Sequence, residues 1–98
     1  MSKYQQLLTV SNPDIVARKL EEYLPGTDLY ISNRKNKKYM LQQPNGKWSH
    51  FGDIRYQDYT FHKDEDRRRR YLQRALHIKG NWKSNPYSSN LLSIRLLW

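Results

Sequence analysis

The chain predicts an α+β domain: a helix over 13–24, a three-stranded antiparallel sheet over about 29–52, a longer basic helix over about 63–79, and a short apolar C-terminal helix. Three observations carry that reading. Apolar residues recur at helical spacing between Asn12 and a Pro25-Gly26 stop, β-prone runs separated by turn signals follow, and a segment with acids first and bases after them ends at Gly80. The 98 residues suit a single domain, which at this size hides somewhat more than 60% of the surface its unfolded chain exposes.

Each element has a local cause. Residues 1–11 carry no strong pattern and are expected to form a loose arm. In Asn12-Pro13-Asp14, Asn caps, Pro takes the first helical position where its missing N–H costs nothing, and Asp faces the positive end of the dipole. Val16, Leu20, Tyr23 and Leu24 then form an apolar stripe. Leu29-Tyr30-Ile31, Lys38 to Gln42 and Lys47 to Phe51 read as strands, joined by turns at Asn33-Arg34-Lys35-Asn36 and Pro44-Asn45-Gly46. Asp64-Glu65-Asp66 before Arg67 to Arg70 starts a helix whose charges run with its dipole. Arg68 falls on the apolar side of that helix and is expected to pair with Asp64. Ser88 or Ser89 caps the tail, where Leu91, Leu92, Ile94, Leu96, Leu97 and Trp98 are too apolar to face solvent. They are expected to close the domain's own core, with exchange between subunits as the alternative.

The core must be built from few aliphatics. Leu, Ile, Val and Phe total 21 of 98 residues and the mean hydropathy is -1.04, near the range in which charged chains fail to fold. Aromatic residues, 13% of the chain, supply the missing apolar area. Most of Trp48, Phe51, Tyr56, Tyr59 and Phe61 are therefore expected inside. The other reading makes at least two of them a stacking platform for unpaired bases.

Charge is segregated. The net charge is +9, with residues 29–52 carrying five basic residues and no acid, and residues 67–98 carrying eight basic residues and no acidic side chain. Such blocks attract polyanions, because each phosphate neutralised releases counterions. Arg67, Arg70, Arg74 and His77 line up on one side of the second long helix, apart from the arc of Tyr71, Leu72, Ala75, Leu76 and Ile78, and Lys79 and Lys83 follow in the same acid-free block. The hairpin turn adds Arg34, Lys35, Lys37 and Lys38. These nine arginines and lysines are the candidate nucleic-acid contacts, with DNA ahead of RNA.

Several chemistries find no support. There is no cysteine, so no disulfide, thiol nucleophile or thiolate zinc site, and no Gly-rich phosphate loop, nucleophile elbow or His pair at metal spacing. Asp53, Asp58, His62 and Asp64 are the only residues that suggest a Mg²⁺-dependent nuclease, and Asp58 as a loop acceptor, Asp64 as a helix start and His62 as a junction residue are the plainer readings. A non-enzymatic protein without metal or cofactor is expected. No apolar run approaches the 18–20 residues that cross a bilayer, and Met1 to Ser11 lacks the apolar block of a signal peptide, so neither a membrane partner nor secretion is expected.

Spaced motifs add a resemblance. Tyr39-Met40, Pro44-Asn45-Gly46-Lys47, His50-Phe51-Gly52, Tyr56-Gln57-Asp58-Tyr59-Thr60, His62-Lys63-Asp64, Arg67-Arg68 and Tyr71, with the tail from Gly80-Asn81-Trp82 to Leu96-Leu97-Trp98, make roughly residues 30–98 resemble a family of short, basic, functionally uncharacterised proteins. Large double-stranded DNA viruses of protists and algae, and their smaller viral relatives, encode that family. The resemblance implies a viral origin, in the virion or the infected cell, and supplies no catalytic residue. Genome binding is then the expected role. A minor capsid component contacting larger capsid proteins is the alternative, and the oligomeric state is left open.

Overall fold

The computed structural model describes residues 1–98 and has the predicted α+β architecture. Five helices, α1 (Lys3–Leu8), α2 (Pro13–Tyr23), α3 (Tyr59–His62), α4 (Glu65–Leu76) and α5 (Ser89–Leu92), accompany strands β1 (Tyr30–Ile31), β2 (Lys37–Gln42) and β3 (Trp48–Asp53). A single π-helical turn, Ser93–Leu97, continues α5, and a 3₁₀ turn, Trp82–Ser84, precedes it. The sheet runs β1-β2-β3, antiparallel throughout, with Tyr39 opposite Phe51 and Leu41 opposite Ser49. Gly46, at φ 89, closes the second turn. No helix is long and apolar enough to cross a membrane.

Helix starts follow the anticipated capping chemistry. The Asn12 side chain accepts from the Ile15 amide with Pro13 behind it, Asp64 accepts from the Asp66 and Arg67 amides, and Ser88 accepts from the Leu91 amide. The long basic helix is shorter than the predicted 63–79 because the chain first makes α3, capped by Asp58, and turns through left-handed Lys63 (φ 56) before restarting at Glu65.

Residues 1–11 are not a loose arm. Ser2 and Gln5 form a reciprocal capping box that starts α1, and Leu7 is fully buried. Leu7 joins Val16, Leu20, Tyr39, Leu41, Phe51, Ile54, Leu92, Leu96 and Leu97 in one core cluster. The C-terminal helix packs on both α2 and β3, so the apolar tail closes the domain's own core. Removing a core leucine would cost about 2–5 kcal/mol.

The aromatic segment departs from expectation. Only Phe51 is fully buried, stacked on Tyr39 with centroids 5.6 Å apart, and Tyr59 is half-buried. Trp48, Tyr56 and Phe61 are exposed. They form no common platform: Trp48 packs edge-on to Tyr30, Phe61 lies in a shallow depression with Tyr4 and Leu8, and Tyr56 stands beside α4. Tyr39 and the leucines of the two terminal segments take the core positions instead. On α4 only Ala75 is buried, while Leu76 stays exposed, because the C-terminal helix covers just part of the apolar arc, and Ile78, exposed as well, lies beyond the end of α4.

A polar network crosses the molecule beside this core. The Ser11 hydroxyl bridges Tyr39 Oη at 2.7 Å and Thr60 Oγ1 at 3.3 Å, and Thr60 donates its amide and its hydroxyl to the Asp58 carboxylate. The Asp58 amide donates to the Val10 carbonyl. Residues 10–12 and 58–60 are thereby tied together at the α1–α2 junction.

Candidate functional site

A cleft of about 680 Å³ opens between the end of the sheet and α4. Lys37 and Lys38 of β2, Gly52 and Asp53 of β3, and Tyr56 and Gln57 of the following connection form one side. Arg67, Arg70 and Arg74 form the other, spaced three and four residues apart so that they rise along one helix face over about 10 Å. Tyr71 and Trp98, stacked 4.2 Å apart at 11°, floor it together with Leu97 and Ser93. The helical stripe and the hairpin turn, separate in sequence, thus share one cavity through Lys37 and the three arginines.

Lys37, Arg67, Arg70 and Arg74 have no carboxylate within ion-pair distance, since the four ion pairs are Lys38–Asp58, Arg55–Asp53, Arg68–Glu65 and Arg69–Asp66. Arg67 donates to Gln57 Oε1 at 3.2 Å, which holds it across the mouth. The acid lining the cleft, Asp53, is clasped by Arg55 through two side-chain bonds of 3.0 and 2.8 Å. That guanidinium holds the Asp53 carboxyl below the usual carboxylate range, and the nearby Lys37 charge adds to the effect. The cavity therefore faces an incoming ligand with uncompensated positive charge in a concave, partly apolar setting.

Other predicted contacts lie elsewhere. Lys38 is not a surface residue: it is 2% exposed, and its ammonium donates to Asp58 Oδ2 at 3.0 Å beneath the cleft. Burial pushes the Lys38 ammonium down from the ordinary lysine value, and the Asp58 charge and hydrogen bond oppose that shift. Arg34 and Lys35 are exposed on their turn and do not line the cavity. Lys79 is exposed beyond α4, and Lys83 sits 5.4 Å from the Trp82 ring, facing a second groove. Arg68 does not pair with Asp64. Its Nε donates to the Trp98 main-chain oxygen at 2.8 Å, and Glu65 lies 3.9 Å from its guanidinium. Asp64 is instead occupied by the backbone amides it caps.

Asp53, Asp58, His62 and Asp64 do not gather, and no three His, Asp or Glu side chains are placed to hold a metal ion. Asp58 belongs to the buried pair, Asp53 to Arg55, and His62 accepts from the Asp64 amide at the α3–α4 junction.

Two further residues shape the cleft besides the predicted cations. Tyr56 is 64% exposed at its edge, with the Arg55 guanidinium 6.0 Å from the ring centroid. Gly52 has φ 80, and a Cβ there would stand 2.8 Å from Leu97 Cδ1 and 3.0 Å from Lys38 Cδ. The absence of a side chain at Gly52 lets the C-terminal helix approach β3 and close the floor.

The second groove, about 590 Å³, lies on the opposite side of α4. Lys19, Arg68, Lys83 and Arg95 rim it around Leu72, Leu76 and Trp82, and no acidic side chain lines it. Lys19 is pushed down by burial first and by the neighbouring Arg68 charge second.

Fold and cleft define a small α+β protein with a concave basic surface built around one helix. Residues 27–75, 49 of the 98, match the model of a family of unknown function (DUF5754), and the chain belongs to that family. The matched stretch includes every cleft-lining residue except the three from the C-terminal helix. No curated protein and no solved structure matches the chain.

Proposed function

We propose that this protein binds nucleic acid, DNA ahead of RNA, through phosphate contacts in the cleft, and that it does so without catalysing a reaction. The observation that carries the reading is the set of four cations, Lys37, Arg67, Arg70 and Arg74, facing one cavity with no carboxylate paired to any of them. Arginine and lysine with no carboxylate partner can exchange hydration for phosphate contacts, with counterion release as the driving term. In the viral setting that the sequence motifs imply, the polyanion is the genome, met during replication or packaging in the infected cell or the virion.

Four ion pairs on duplex DNA correspond to a log–log salt slope of about -3.6, so raising salt fourfold weakens binding roughly 150-fold. Fluorescence anisotropy with a nonspecific oligonucleotide at 50 and 200 mM salt measures it. Affinity that hardly changes with salt overturns the phosphate reading.

The second groove supports the alternative of a capsid-associated role, because cations around an apolar wall suit an acidic protein surface. Retention of the protein in purified particles after the genome is digested would favour that role.

A further inference from the structure

We infer that the cleft is built for single-stranded rather than duplex nucleic acid, with Tyr56 as the surface on which an unpaired base stacks. The inference rests on the phosphate-binding reading above and gives it a substrate class.

The shape of the basic surface is the first reason. Lys37 stands on one side of the cavity and Arg67, Arg70 and Arg74 on the other, over a floor of Leu97, Tyr71 and Trp98. A volume of about 680 Å³ equals a cube roughly 9 Å on a side, the scale of a small-ligand pocket. A duplex presents its phosphates as convex ridges and is read by elements that protrude into its grooves. Here Lys37 and the three arginines line two facing walls of a cavity about 9 Å across, with Arg70 and Arg74 exposed on theirs, so a duplex, wider than the cavity, would meet the walls only at their exposed ends. A single strand is thin and flexible enough to enter between the two walls.

The second reason is the aromatic at the edge. Tyr56 leaves 64% of its surface in solvent, more than any other exposed aromatic ring of the chain. Arg55, clamped to Asp53, lies 6.0 Å from its centroid. An exposed ring beside a basic channel is the combination that binds unpaired bases without regard to sequence. Paired bases cannot use it, because their faces are already stacked within the duplex.

The test compares a labelled 12-nucleotide thymidine oligomer with a 12-base-pair duplex, both titrated with the full chain at 50 and 200 mM salt. The single strand is expected to bind at least tenfold tighter, with a slope of about -2.8 for four contacts. Tyr56→Ala is expected to weaken single-strand binding roughly tenfold, more than it weakens duplex binding, with the thermal midpoint unchanged, and Tyr56→Phe to restore it. Duplex binding as tight as or tighter than single-strand binding overturns the inference, and that comparison needs no variant. Equal losses on both substrates in Tyr56→Ala, or no loss on either, also overturn it. Salt-independent binding, or none, on both substrates defeats the phosphate reading itself.

Discussion

Lys38 and Arg74 carry the same charge and line the same cleft, yet they belong to opposite kinds of site. Lys38, on the sheet side, is sealed against Asp58, whose other oxygen is held by Thr60. Arg74, on the helix side, is exposed and meets no carboxylate. The four consecutive arginines divide in the same way: Arg68 and Arg69 engage Trp98, Glu65 and Asp66, while Arg67 and Arg70 face the cavity. A basic residue here serves the fold where a carboxylate has been placed within reach, and faces the cleft where none has.

The sharpest way to break this contrast is to remove the acceptor. Asp58→Asn leaves a buried ammonium without a counter-charge, with an expected loss of about 3–5 kcal/mol and a fall in thermal midpoint of more than about 10 °C. Adding Lys38→Met to Asp58→Asn should recover much of that loss, since it removes the unpaired ammonium and keeps a side-chain oxygen for Thr60. A midpoint that stays put in Asp58→Asn, followed by circular dichroism, would show that the sheet side does not depend on the pair. Replacing Arg67, Arg70 and Arg74 together by Gln should do the opposite. The midpoint should hardly move, while affinity falls on the order of a hundredfold at low salt and the slope flattens by about 2.7 on duplex or about 2.1 on a single strand. If the triple variant unfolds instead, the helix wall is structural after all.

Gly52→Ala tests the floor that joins the two walls. Positive φ and the approach of Leu97 predict a destabilisation of about 1–2 kcal/mol, with weaker binding because the C-terminal helix must shift. The smallest expected effect is on pH. Burial is the chief cause that pushes the His50 and His62 imidazoles below the ordinary value, with nearby cations, Arg34 at His50 and Arg67 at His62, adding to it. Both rings therefore favour the neutral state in the fold. Their contribution to stability is present above about pH 6.5, the unfolded value, and is lost as pH falls from there toward the folded values. His50→Gln should flatten that decline in a midpoint-versus-pH series. Arginine stays charged throughout, so over the same window the charge of the cleft wall should not change.

Much of the fold was legible because its signals are local. Asn12-Pro13, Asn45-Gly46, Asp64 and Ser88 each act within a few residues, and helices and turns formed where they stand. The capping box of Ser2 and Gln5 was equally local, and would have revealed α1 had it been weighed above the weak apolar pattern around it. The site was legible only in part. The side shared by Arg67, Arg70 and Arg74 follows from helical periodicity, but the burial of Lys38 depends on Asp58, twenty residues away. The place of Tyr56 depends on how β3 leaves the sheet, and aromatic content alone does not distinguish Tyr39, which is buried, from Tyr56, which is not.

The composition of the core has a consequence for the order of events during folding. Residues 27–75 supply four of its ten buried members, Tyr39, Leu41, Phe51 and Ile54, while Leu7, Val16 and Leu20 come from before that stretch and Leu92, Leu96 and Leu97 from after it. The hairpin and α4 can begin to form from local contacts, but closure must bring segments nearly ninety residues apart together, the kind of non-local step that slows folding. A folding chain in which α4 has formed but residues 92–98 have not docked carries its arginines on an open helix face. The basic charge thus precedes the cavity, which takes its shape only when the C-terminal turn docks.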